Sequence, residues 1–147
     1  MGLMRSDELP VVEFATPGPI REWLVDLVVA GTKRATASLV AESELDGETL
    51  SQPGSRWAVV RTDGTCACVI EITEVKVAGF HDADATFHLD EGEGMPSREA
   101  WIVQHEAFWN EHVVPEVRRH LDPTFSLGPD TAVVFERFRL ADAVGGA

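Results

Sequence analysis

Basic side chains are scarce in this sequence: 12 lysines and arginines stand against 25 aspartates and glutamates, for a formal charge of -13 over 147 residues. A surface of that sign repels phosphate backbones, so binding to long nucleic acid should be weak or absent and any such contact local. No apolar run approaches the length of a bilayer span, and the first ten residues, "MGLMRSDELP", lack the apolar core of a secretory signal. The expected setting is the cytoplasm, with no membrane partner.

Cysteine is nearly missing too. Cys66 and Cys68 alternate with alanine in "TCACVIEI", which in a strand sends both to the face of Ile70 and Ile72 as small core residues. Same-face neighbours in one strand are poorly placed for a disulfide. His81, His88, His105, His112 and His120 are scattered without the paired spacing of a zinc site, so neither metal nor cofactor is expected. Repeats, low-complexity tracts and linkers are absent, which leaves one domain over 1–147 with short flexible tails at 1–10 and 142–147. Composition points to no particular oligomeric state.

What is present is organised. "PIREWLVDLVVAG" opens with proline in the first turn and places Ile20, Trp23, Leu24, Leu27 and Val28 on one helical face before Gly31 stops it, predicting a helix over 19–30. Residues 32–39 alternate as a strand, and 40–51 read as an acidic, turn-rich surface connection. Two alternating β-branched runs flank Asp63-Gly64, predicting an antiparallel hairpin closed by a type I′ turn. A short helix is expected over 82–89. Ser97 is placed to cap a second long helix, with Trp101, His105, Phe108, Trp109 and His112 on one face, and "DTAVVFERFRL" ends the pattern as a strand. Strands outnumber helices without strand-helix-strand alternation, so the expected class is α+β: a small, mostly antiparallel β-barrel with flanking helices, one covering an opening.

Two short stretches could carry chemistry. In "GTKRATASL" an extended chain puts Arg34, Thr36 and Ser38 on one face and Ala35, Ala37 and Leu39 on the other, so hydroxyls would look into a cavity or solvent while alanines pack. Lys33, just past the helix stop, can be aimed at the space beside Thr36, where a lysine activates an oxygen nucleophile. A solvated edge strand protected by basic residues gives the same pattern. In "DEGEGMPS", Glu91 and Glu93 are carboxylates set among Gly92 and Gly94, able to approach a ligand and to act as acid or base, although acidic glycine loops also occur on plain surfaces. Ser97 is first a cap and second a ligand contact. Trp101 suits base stacking, against a competing reading as core, and His105 reads as a satisfied, half-buried histidine.

The succession of a glycine-ended helix, "GTKRATAS", a hairpin, an "EGEG" loop and a terminal "VVFERFRL" resembles the ASCH family, whose fold is similar to the PUA barrel, over residues 14–140. Its paired motifs fall on Gly31, Lys33 and Thr36 and on Glu91, Glu93 and Met95. The resemblance implies a cleft for a modified nucleoside or RNA base. One branch of the family comprises bacterial acetylcytidine amidohydrolases, which implies catalytic roles for Lys33, Thr36 and Glu93, with Arg34, Ser38, Glu91, Ser97 and Trp101 around the substrate. Another branch implies an RNA- or nucleotide-binding module without turnover, or a ribonuclease. The acidic connection over 40–51 and the tryptophan-bearing helix depart from the compact amidohydrolases and bear on the substrate.

Overall fold

The structure, a computed structural model, describes residues 9–143. In chain order it contains β1 (Val11–Val12), α1 (Pro19–Val29), β2 (Ala35–Leu39), α2 (Val40–Asp46), β3 (Arg56–Val60), β4 (Cys66–Gly79), a 3-10 turn (Phe80–Asp82), α3 (Phe87–Glu91), α4 (Arg98–His112), α5 (Val114–His120) and β5 (Ala132–Ala143). The expected tails lie mostly outside the described residues; Asp142 and Ala143 instead finish β5.

The strands form one sheet in the order β1-β3-β4-β5-β2. Among the described strands, only β1 and β3 pair in parallel. The class is α+β, but the expected closed barrel is not found among the described residues, because β1 and β2 are the two edges of the sheet and do not pair with each other. The reason is spatial. Val11 and Val12 from one edge and Thr36 and Ser38 from the other line the same cavity, so the seam between them is held open.

Side-chain alternation divides β5 between two cores. Val133 and Phe135 join Ala35 and Leu39 of β2 in a cluster with Phe80, Phe87, Trp101 and Trp109. Edge-to-face contacts at centroid distances of 5.0 Å for Phe80–Trp109 and 5.7 Å for Phe87–Trp101 knit the rings together. On the other parity, Val134 and Glu136 face the cavity and Phe138 joins Cys68, Ile70 and Ile72 against Leu24, Val25 and Val28 of α1. Cys68 is core, as read; burial and the neighbouring Cys66 push its thiol up to about 11. Cys66 is half-buried and both thiols are free.

Three local expectations are corrected. The turn between β3 and β4 is not type I′: only Gly64 has positive φ (85°), Gly64 N–H donates to Arg61 O, and Arg61 pairs with Thr65, so Asp63 stays right-handed while its carboxylate accepts from Thr65. Residues 40–51 contain α2, whose first turn is held by Glu42 accepting from Leu39 N–H at 2.7 Å and whose end is Gly47 at φ 65°. The helix placed over 82–89 is split into the 3-10 turn and α3.

Candidate active site

The site is built where the end of α1 meets the end of α3. After Val28, Gly31 takes φ 79°, and Thr32 and Lys33 N–H both donate back to Leu27 O, turning the chain toward β2. Arg34 N–H then donates to Asp90 O at 2.7 Å, fastening this segment to α3. Gly92 caps α3 at φ 67°, and a Cβ there would lie 2.3 Å from Thr32 O and 3.0 Å from Lys33 Cα. The glycine in "EGEG" therefore admits the chain's own backbone rather than a ligand. That contact carries Glu93 to Lys33.

Lys33 is 2% exposed. Its Nζ donates to Glu93 Oε2 at 2.7 Å and to Ala35 O at 2.8 Å, with the Phe14 ring 5.6 Å away. Glu91 lies behind it, also 2% exposed, accepting from Trp101 Nε1 at 2.8 Å with His105 Nε2 at 3.4 Å. Burial pushes the Glu91 carboxyl up, but the Lys33 charge and hydrogen bonds from His105 and Trp101 outweigh it and hold the carboxyl below its ordinary value. His105 Nδ1 donates to Trp101 O at 2.9 Å, and its ring stacks on Trp101 with centroids 4.1 Å apart. Both ring nitrogens thus face oxygen acceptors, one a backbone carbonyl and the other the Glu91 carboxylate.

Two cavities open on either side of Thr36, which lines both, as does Phe14. One, of about 320 Å³, lies in the open seam and takes Thr36, Ser38 and Glu136 from the sheet with Glu42 and Asp46 from α2. Burial raises the carboxyls of Glu42 and Glu136. The other, of about 370 Å³, holds Lys33, Glu91, Glu93 and His105 beneath an apolar rim of Trp23 and Phe108.

Of the residues singled out in sequence, Lys33, Thr36, Glu91 and Glu93 converge on the second cavity and Ser38 on the first. Three do not join them. Arg34 is exposed and turned to Asp90 at 3.3 Å, outside both cavities. Ser97 accepts from Ala100 N–H at 3.1 Å and is the α4 cap. Trp101 is 0% exposed, packed among Phe80, Phe87 and Trp109, so it offers no face to a base. Glu91 is correspondingly a buried partner of Trp101 and His105 and not a free carboxylate.

Trp23 and Phe108 line the second cavity and Glu136 the first, and no motif in the sequence marks them. The spacing of α1 groups Ile20 and Trp23 with Leu24 and Val28 on one face, yet Ile20 and Trp23 are 62% and 47% exposed at the cavity rim, and the buried face is Arg21, Leu24, Val25 and Val28. Arg21 replaces an apolar residue there because its guanidinium donates to Phe14 O and Ala15 O. An apolar cavity rim and a core face give the same helical spacing, and no sequence signal separates them.

Two solved structures share the architecture. An ASCH domain from Lactobacillus crispatus JV V101 superposes with a TM-score of 0.75 at 27% identity, covering 91% of this chain and 80% of that one. Protein EF3133 from Enterococcus faecalis V583 superposes with a TM-score of 0.69 at 23% identity, covering 82% and 68%. No curated protein matches significantly. The family model for the ASCH domain matches residues 12–142, a span that includes both motifs and every strand that walls the seam cavity except the first residue of β1 and the last of β5. The chain belongs to the ASCH domain family.

Proposed function

We propose that this protein hydrolyses an amide on a modified nucleoside or nucleobase, acetylcytidine being the type of substrate. The observation that carries the reading is the buried Lys33–Glu93 pair, 2.7 Å apart and opening on the cavity that Thr36 lines. An ammonium has three N–H donors, and Lys33 gives two to Glu93 and Ala35 O, which leaves one for a developing oxyanion. Hemmed in by a carboxylate, a carbonyl and an aromatic face, Lys33 supplies charge, and Glu93 is the proton carrier.

In this mechanism Thr36 Oγ1 attacks the amide carbonyl carbon as Glu93 takes the hydroxyl proton. The C–N bond breaks with that proton passing to the leaving nitrogen, and the amine departs. Water then attacks the threonine ester, releases the carboxylic acid and restores the hydroxyl. Ser38 and Glu136 contact the amine half in the seam cavity.

That cavity also bears on the RNA-binding and ribonuclease alternatives. Its ionisable lining is Glu13, Glu42, Asp46, Glu48 and Glu136, with no lysine or arginine. Such a wall suits an uncharged nucleoside and opposes a phosphate chain. No helix among the described residues is long and apolar enough to cross a membrane.

The test is direct. Purified protein is incubated with acetylcytidine, and cytidine and acetate are followed by chromatography. Turnover by wild type, with loss of about a thousandfold or more in Thr36→Ala and Glu93→Gln, is the expected result. A wild-type protein that leaves acetylcytidine and related acylated bases intact removes the hydrolase assignment; sub-micromolar, salt-sensitive binding of unmodified single-stranded RNA would favour the binding module instead.

A further inference from the structure

The two cavities that meet at Thr36 differ in character, and the difference orients a substrate. Lys33, whose free N–H serves the carbonyl oxygen, belongs only to the larger cavity, with Glu93. Thr36 lines both cavities, so the two substituents of a carbonyl it attacks divide between them: the apolar wall of the larger suits an acyl group, and the acid-lined seam suits the polar nitrogen half. The larger cavity is walled by Phe14, Ile20, Trp23, Leu24, Phe108 and Trp109. Three of these keep apolar surface in contact with solvent, Ile20 at 62%, Trp23 at 47% and Phe108 at 39% exposure.

An acetyl group is a poor match for this space. Its methyl occupies roughly the volume of one water, about 30 Å³, against a cavity of about 370 Å³. A methyl also leaves both rim aromatics uncovered, and exposed apolar surface next to a reactive site marks the place of a ligand. A flat acyl group fits better, since it fills the cavity and presents a ring to Trp23 and Phe108, the geometry in which aromatic pairs gain beyond simple burial.

We infer that the larger cavity is an acyl pocket, and that the preferred substrate is an amide with a bulky, aromatic acyl group rather than acetyl. The inference deepens the hydrolase reading and rests on Thr36 as its attacking group. The reaction is unchanged: the C–N bond breaks, water supplies the hydroxyl of the released aromatic acid, and the amine leaves protonated.

Binding and turnover separate the two ideas. Isothermal calorimetry with the Thr36→Ala variant compares benzoylcytidine with acetylcytidine, and chromatography follows release of benzoate or acetate by wild type. The expected result is at least about tenfold tighter binding of benzoylcytidine, reduced several-fold in favour of parity by Trp23→Ala and by Phe108→Ala. Two variants are used because either aromatic alone could be replaced by the other, and thermal melting confirms that both fold. Equal or tighter binding of acetylcytidine, binding of neither amide, or a preference untouched by both rim variants overturns the acyl pocket. A benzoyl preference without turnover by wild type leaves the pocket standing and removes the hydrolase assignment.

Discussion

Residues 84–93 supply carboxylates to two cations, and the two resulting clusters behave oppositely. Arg137 receives Asp90 at its Nε, Glu74 and Asp84 at one terminal nitrogen, and Asp84 and Thr86 at the other, with the Phe87 ring 5.3 Å beneath. All five N–H groups of the guanidinium are matched, and nothing is left to offer. Lys33 receives Glu93 and a carbonyl, is more deeply buried, and keeps one donor unmatched among the described residues, at a cavity that Thr36 also lines. The first cluster fastens α3 to the sheet; the second has the incomplete coordination that a passing substrate could finish. Satisfaction, more than burial or charge, separates a fastening from a site.

Removing Lys33 should have the largest effect on stability. Lys33→Ala strands Glu91 and Glu93 without their cation, and breaking a buried pair on one side costs about 4 kcal/mol. Urea unfolding measures it. A solvated lysine would cost less than about 1 kcal/mol. A loss near zero would mean that the two carboxylates are hydrated and the cluster is open. Gly92→Ala comes next, at about 3 kcal/mol, because the new methyl meets Thr32 O at 2.3 Å in a conformation with φ 67°. The same substitution should part Glu93 from Lys33 and so lower the proposed turnover, whereas Gly94→Ala, with open space around its Cβ, strains only its own φ of 83°.

Arg137→Ala should cost less, about 1–2 kcal/mol, since that cluster is partly solvated. Its signature is in pH. Arg137 holds the Asp84 carboxyl down to about 2 from 3.8, so the folded state binds that proton less readily than the unfolded chain. The stabilisation is full above the ordinary value and is lost as pH falls from about 3.8 to about 2. Acid unfolding of Arg137→Ala should lack this contribution; an unchanged acid limb would show that the carboxylates do not depend on the guanidinium. The smallest effect on stability belongs to Thr36→Ala, less than about 1 kcal/mol, because the half-buried hydroxyl faces a cavity. If Thr36→Ala and Arg137→Ala proved equally destabilising, the contrast between site and fastening would fail.

The residues of the Lys33 cluster could be read in the sequence, because "GTKRATAS" segregates hydroxyls from alanines and "EGEG" pairs carboxylates with glycines. The glycine's purpose could not. Gly92 suggested room for a ligand, but it is the contact between two distant backbone segments, which no local pattern encodes. The hairpin was legible from alternation, while its turn was not, since Asp63-Gly64 suits either a type I′ turn or a type I turn followed by a left-handed glycine. The acidic stretch 40–51 hid α2: seven residues are too few to show a 3.6-residue period, and the carboxylate of Glu42 holding Leu39 N–H is a pairing that depends on the fold of the preceding strand. Trp101 and Trp23 exchanged places. The tryptophan after the acidic loop became core and the one on the first helix became rim, because both sit in equally apolar helical stripes and only the neighbours across the gap decide which is covered.

The open seam has a consequence for how a bound molecule would be noticed. Among the described residues the edges β1 and β2 do not pair with each other, so each has one side that no neighbouring strand shields, and backbone amides on those sides can trade their protons with solvent independently. A molecule filling the cavity touches both edges at once. It would make the two edges, 24 residues apart from Val11 to Ala35, slow their deuterium uptake together, coupling through an occupant two strands that the polypeptide itself leaves unconnected.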